Sequence, residues 1–231
     1  MSYYKELRSI SLHDYKAMLL EMNLIKSRLI LRENIDERFA IIKNQGISDL
    51  EQLTCVLKSK KKKEQFAEIS GIDLDYLTVL IREVNSLHPK PNLLRDLPCI
   101  DEQVAEGLEA AGYKDTYSIY ELVKDKSKCQ KIVDRFSLSN DTMGMIINYA
   151  DISRIRWVNH TFAYILIKVG YDCVEKIANA DCNQLYRMIK AANEEEQIYK
   201  GRIGLNDIEI LIEWADWTYR QDTAGNIDLD D

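Results

Sequence analysis

Apolar and polar residues alternate along this chain with the period of helices. In the stretch from Arg154 to Ile177, Phe162, Ala163, Ile165, Leu166 and Val169 lie three or four apart, as one buried face of a short helix does. Gly170 follows them, where a residue without a side chain ends a helix most easily. Asp172, with Glu175 three residues on, then predicts a capped second helix. The same order of apolar face, glycine and cap recurs upstream. Leu97 to Tyr113 carries it with Ala105 in the place of Ala163 and Gly112 in the place of Gly170. Phe39, Ile42 and Gly46 lead likewise into Ser48-Asp49-Leu50-Glu51. Agreement in three such columns predicts about three copies of one helical unit.

Further helices follow from the same spacing. Ser11 opens one with Tyr15, Met18, Leu19 and Met22 as its stripe, and Asp73 caps another with Leu77, Leu80, Ile81 and Val84. Helices are predicted near 101–111, 116–124, 127–136 and 139–149, then from Asp181 to about Ala192. Asn193 to Gly204, with Glu194-Glu195-Glu196, reads as a polar loop before a last helix bearing Ile208, Leu211, Ile212, Ala215 and Tyr219. No strand signal stands out, so the predicted fold class is all-α. His88-Pro89-Lys90-Pro91-Asn92 is the clearest linker, because its two prolines disfavour helix on either side. It sets residues 1–88, an N-terminal helix plus the first repeat, apart from 93–221, where the second and third repeats are expected to pack as one body. Residues 222–231 form an acidic tail expected to be disordered.

The repeated residues resemble the helix-hairpin-helix superfamily, whose hairpin reads apolar-Gly-apolar-Gly before a helix with an inward alanine. More closely they resemble the bacterial domain-of-unknown-function family 4332, built from such pairs. The likeness is best from Asp151 to Tyr219, through Arg154-Ile-Arg-Trp-Val-Asn, Ala163, Gly170 to Ile177, Leu185, Asn193 and the Ile208–Trp217 segment. A weaker likeness covers Ser27 to Ala150. The resemblance implies an all-helical fold of tandem helix-hairpin-helix-like (SAM/HhH-like) units and, at most, a nucleic-acid role. In nucleic-acid-binding members the hairpin glycines let backbone N–H groups approach a phosphate. Here those columns hold Cys99 and Asp101 in the second copy and Trp157 and Asn159 in the third. Glu33-Asn34-Ile35-Asp36 fits the first copy only with a one-residue gap. Asp101 puts a negative charge where the phosphate belongs.

Charge narrows the function further. A net charge of -7 weighs against a sequence-independent grip on nucleic acid, which needs a basic face. Five scattered cysteines without a Cys-x-x-Cys pair fit a reducing cytoplasm better than a disulfide framework. A polar, charged N-terminus and the lack of a long apolar run predict neither a signal peptide nor a membrane helix. The three histidines, His13, His88 and His160, have no second ligand at metal spacing, so neither metal nor cofactor is expected. No nucleophile elbow, P-loop or dinucleotide fingerprint occurs, and the expectation is a non-enzyme. Cys173 and Cys182 stand near helix starts that can lower a thiol pKa, but no histidine is close in sequence, and they are read as inert.

Two cationic candidates remain. Arg154, Arg156, Asn159, His160 and Thr161 cluster at the start of a helix as an anion contact, which Lys200 and Arg202 could join if the late loop folds back. The competing reading pairs both arginines with neighbouring carboxylates. Lys58, Lys60, Lys61, Lys62 and Lys63 form the most basic run, read either as a solvated helix start or as a phosphate or acidic-partner contact. Trp157 is expected to wedge into the core, with an exposed contact as the alternative, Trp214 to fall near the apolar stripe, and Trp217 to lie nearer the surface. The leading expectation is a cytoplasmic adaptor or scaffold that binds another protein. The alternative is a nucleic-acid-binding protein that grips phosphates through the third hairpin and the lysine run.

Overall fold

Most α-helices in this protein start at side chains that take up the free backbone N–H groups of a first turn. In the computed structural model, which describes residues 2–224, Ser11 accepts from the Asp14 N–H at 3.1 Å and Asp49 from that of Gln52 at 2.9 Å. Among the described residues all regular elements are helical, and extended backbone pairs only in two isolated antiparallel bridges, Ser11 with Asp49 and Leu93 with Asp115. None of these helices is long and apolar enough to cross a membrane. The described residues divide into two compact units, Tyr4–His88 and 89–224, the latter joined by residues 2 and 3.

The first unit holds α1 (Leu12–Glu21), α2 (Ile35–Asn44), α3 (Leu50–Leu57), α4 (Lys60–Ser70) and α5 (Leu74–Asn85), with 3-10 turns at Leu7–Ser9 and Lys26–Arg32. Its core gathers the predicted stripes: Tyr15 and Leu19 of α1, Phe39 and Ile42 of α2, Leu50, Leu53 and Leu57 of α3, and Leu77, Leu80 and Val84 of α5 are all buried. Tyr76 is buried with its hydroxyl donating to the Leu31 carbonyl and Arg38 over its ring, and burial pushes its pKa up to about 12. The Arg28–Glu83 pair, 2.8 Å apart, lies under the same surface.

The second unit holds α6 (Glu102–Ala110), α7 (Thr116–Val123), α8 (Lys126–Phe136), α9 (Asn140–Ile152), α10 (His160–Lys168), α11 (Val174–Ala178), α12 (Cys182–Glu196) and α13 (Leu205–Ala224). Helix α7 packs on α9, and α13 runs along α11 and α12. Tyr3 belongs here, with its hydroxyl 3.0 Å from Thr116 Oγ1 and its ring edge-on to Tyr117 and Tyr120.

The three glycines chosen from the sequence share one geometry. Gly46, Gly112 and Gly170 have φ of 82°, 95° and 87°, and each donates its N–H to the carbonyl three residues back. Seven residues before them stand Phe39, Ala105 and Ala163, and four before them Ile42, Leu108 and Leu166, all buried. Four residues after them, Leu50, Thr116 and Val174 are buried as well.

The structure corrects several details. The third cap is Cys173, without a side-chain bond, while Asp172 pairs with Lys176 at 2.7 Å. In the first copy Asp49 caps, and the Gln52 side chain returns to the Ser48 N–H, so Glu51 takes no part. Helix α12 continues through Glu194-Glu195 to Glu196, four residues beyond the buried Ala192, with Gln197 as its left-handed C-cap. Alanine and glutamate there favour helix, and the Asn193 amide ties down the exit by bonding the Tyr199 N–H and carbonyl. Asn92, placed in the linker, is buried in the second unit, its carbonyl accepting from the Thr116 N–H at 2.9 Å and its N–H donating to Thr116 Oγ1 at 3.0 Å. Residues 222–224, assigned to the acidic tail, form the last turn of α13; residues 225–231 of that tail lie outside the described residues.

Candidate functional site

The turn between α9 and α10 carries the residues that the sequence singled out. Ile155 and Val158 plug it into the core, and the Val158 N–H closes it on the Ile155 carbonyl at 3.2 Å. Asn92 holds it from behind, donating from Nδ2 to Ser153 Oγ at 2.7 Å and to the Val158 carbonyl at 3.3 Å. Asn159 is the N-cap of α10, accepting from the Phe162 N–H at 2.9 Å. His160 and Thr161 occupy the first turn of that helix, half-buried.

Both arginines point inward. Arg154 is only 6% exposed, and its Nη2 donates to both carboxylate oxygens of Asp222, at 2.8 and 2.7 Å. Its Nη1 donates to Asp151 at 2.9 Å and to the Tyr120 hydroxyl at 3.1 Å, with the guanidinium 4.8 Å from the Tyr120 ring centre. This is a bidentate, charge-assisted arrangement shielded from water. Burial alone would favour neutral Arg154, but the bonds to Asp222 and the charges of Asp151 and Asp222 carry its pKa up. Burial also holds the Asp151 carboxyl above the ordinary range, although Arg154 and the Val174 N–H pull it down. Arg156, 4% exposed, is layered between two indoles, 3.9 Å from the Trp157 centre and 4.5 Å from that of Trp214. Trp217 then meets Trp214 edge-on at 5.6 Å.

The expected anion contact is therefore corrected at its two strongest members. Arg154 already holds two internal carboxylates, and Arg156 is enclosed by aromatic rings. Trp157 is corrected too. Its backbone is left-handed (φ 67°) and the residue is 45% exposed, with the ring against Arg156 rather than wedged in the core. The late loop does return to α10, since Tyr199 lies against Phe162 at 6.1 Å, but Lys200 and Arg202 on it are exposed.

The lysine run begins α4. Ser59 is the N-cap, and Lys58, Lys60, Lys61 and Lys62 are exposed. Lys62 donates to the Cys55 carbonyl, Lys63 to Thr78 Oγ1, and Lys60 approaches Glu64 at 3.8 Å. Burial pushes the Cys99 thiol up to about 11, and the Cys182 thiol also up, with Glu209 and Asp181 adding to the effect. Among the described residues no three metal-binding side chains stand together.

Sequence reasoning missed Asp222, Asp151, Tyr120 and Asn92. A signal for Asp222 was present: the stripe Leu211, Ala215, Thr218 continues at the same spacing to Asp222, which makes it a buried-face residue of α13 rather than a tail residue. Helices and turn together define an all-helical protein whose arginine-bearing turn is closed from inside. The chain belongs to the family Domain of unknown function (DUF4332), whose model matches residues 98–217, just over half of it. No curated protein and no solved structure matches the chain.

Proposed function

We propose that this chain is a non-catalytic, cytoplasmic adaptor built from about three helix-hairpin-helix-like units, and that it binds another protein through the surface around Trp157. The observation that carries the reading is the exposed Trp157 ring on a left-handed backbone. A bulky residue in that region is disfavoured by roughly 1–3 kcal/mol, and such outliers concentrate at functional sites. Trp is enriched among the residues that dominate protein interfaces, because a large rigid ring is buried at little entropic cost. A phosphate, by contrast, needs small residues at this position and cations facing solvent, whereas Arg154 and Arg156 face inward.

A photo-crosslinking residue at 157, compared with one at exposed Glu102, tests the reading in the native cell. The expected result is a discrete protein adduct from 157 that is absent from 102. Adducts with nucleic acid alone would overturn the reading. A second reading, a polyanion contact, is favoured by one feature only, the exposed lysines at the start of α4, whose first turn holds no acidic residue. The helix dipole disfavours cations there, and a bound anion would relieve that cost.

A further inference from the structure

In the first unit, α1 and α2 flank a cleft of about 310 Å³, open to solvent on one side. That is at the small end of the roughly 300–1,000 Å³ typical of ligand clefts. Its floor is apolar: Leu12, Phe39 and Ile47 line it and are buried. Ala40 leaves the space between them unfilled, since it is an exposed position of α2 with only a methyl group.

The rim is ionic. Lys16 and Asp36 pair at 2.7 Å and neutralise each other. Lys43 and His13, which also line the cleft, make no ion pair among the described residues. Lys43 thus brings an ammonium without an ion-pair partner to an apolar floor, while Asp14 and Asp49, behind the rim, accept from the Ser11 and Ser48 hydroxyls at 2.7 and 3.1 Å.

We infer that this cleft binds a small organic carboxylate with an apolar body, its chain on Phe39 and Ile47 and its head group at Lys43. A single lysine matches a monoanion better than a phosphate dianion, which draws several donors. The apolar body contributes by leaving water, and the ammonium sets which head group is retained.

The test is an amide NMR titration of the full chain with octanoate, alongside 1-octanol and octylamine. Octanoate is expected to shift the amides of residues 11–16 and 36–48 and to saturate with a Kd below about 1 mM. Octanol should bind more weakly and octylamine leave the spectrum unchanged. Lys43→Glu should weaken octanoate at least about tenfold. Ala40→Leu should abolish binding by filling the floor, with the far-UV circular dichroism of both variants unchanged. No local shifts at millimolar octanoate, equal affinity for octanol, or an unaltered response in the Lys43→Glu variant would each overturn the inference.

Discussion

Arg154 is a residue whose removal costs more than the loss of its own bonds. It lies between Asp222, Asp151 and Tyr120 with its side chain 3% exposed, so Arg154→Met would leave two carboxylates in a poorly hydrated site without their cation. Breaking a buried pair from one side typically costs about 3–5 kcal/mol, and this variant is expected to lose that much in urea unfolding at unchanged slope. Asp222→Asn should cost less, about 1–3 kcal/mol, because Arg154 keeps Asp151 and Tyr120. A loss under about 1 kcal/mol in Arg154→Met would mean that water reaches the carboxylates. Trp157 obeys the opposite logic. Replacing it by glycine removes a left-handed strain of roughly 1–2 kcal/mol and a cation–π contact of about 0.5–2 kcal/mol, which nearly cancel. Trp157→Gly should therefore fold with stability within about 1 kcal/mol of the parent while no longer retaining, in a pull-down, the partner that the crosslink at 157 identifies. That separation of stability from binding is what distinguishes a contact residue from a structural one.

At the scale of elements, glycine has two opposite roles here, and substitution separates them. Gly170 ends α10 at φ 87° with open space where a side chain would stand, so Gly170→Ala meets backbone strain and no clash. The expected cost is roughly 1–2 kcal/mol. Gly144 lies inside α9, also with open space around it, and has no positive φ. There alanine removes chain freedom from the unfolded state, and Gly144→Ala should raise stability by about 0.5–1 kcal/mol. Thermal melts of the two variants, read against the parent, should shift in opposite directions. The first glycine was legible in the sequence because it follows an apolar face and precedes a cap. The same pattern gave the places of Ile42, Leu108 and Leu166 in the core. Element ends were less legible wherever the deciding bond is a side chain reaching across several residues. Asn193 bonding Tyr199 prolongs α12, and Gln52 bonding Ser48 moves the first cap, and neither partner is marked by periodicity.

At the scale of the whole molecule, the candidate site was legible as a location but not as a chemistry. Two arginines beside a helix start look alike in sequence whether they face water or carboxylates, and the decision rested on Asp222, some seventy positions away along the chain. The same decision governs nucleic-acid binding. With Arg154 and Arg156 internal, the densest exposed basic run is Lys58, Lys60, Lys61 and Lys62, with Lys126, Lys128, Lys131 and Arg135 exposed more sparsely along α8, in a protein of net charge -7. If duplex DNA binds at the α4 run alone, it releases the counterions displaced by about four lysines. The slope of log K against log salt should then be no steeper than about -4. From 50 to 200 mM salt, affinity would fall by roughly two orders of magnitude and vanish into the baseline. Fluorescence anisotropy over that range is the measurement, with Lys60→Glu/Lys61→Glu/Lys62→Glu abolishing the low-salt signal and Trp157→Gly leaving it intact. Binding that persists at physiological salt and falls with Trp157→Gly would place the phosphate contact back at the turn between α9 and α10 and displace the adaptor reading.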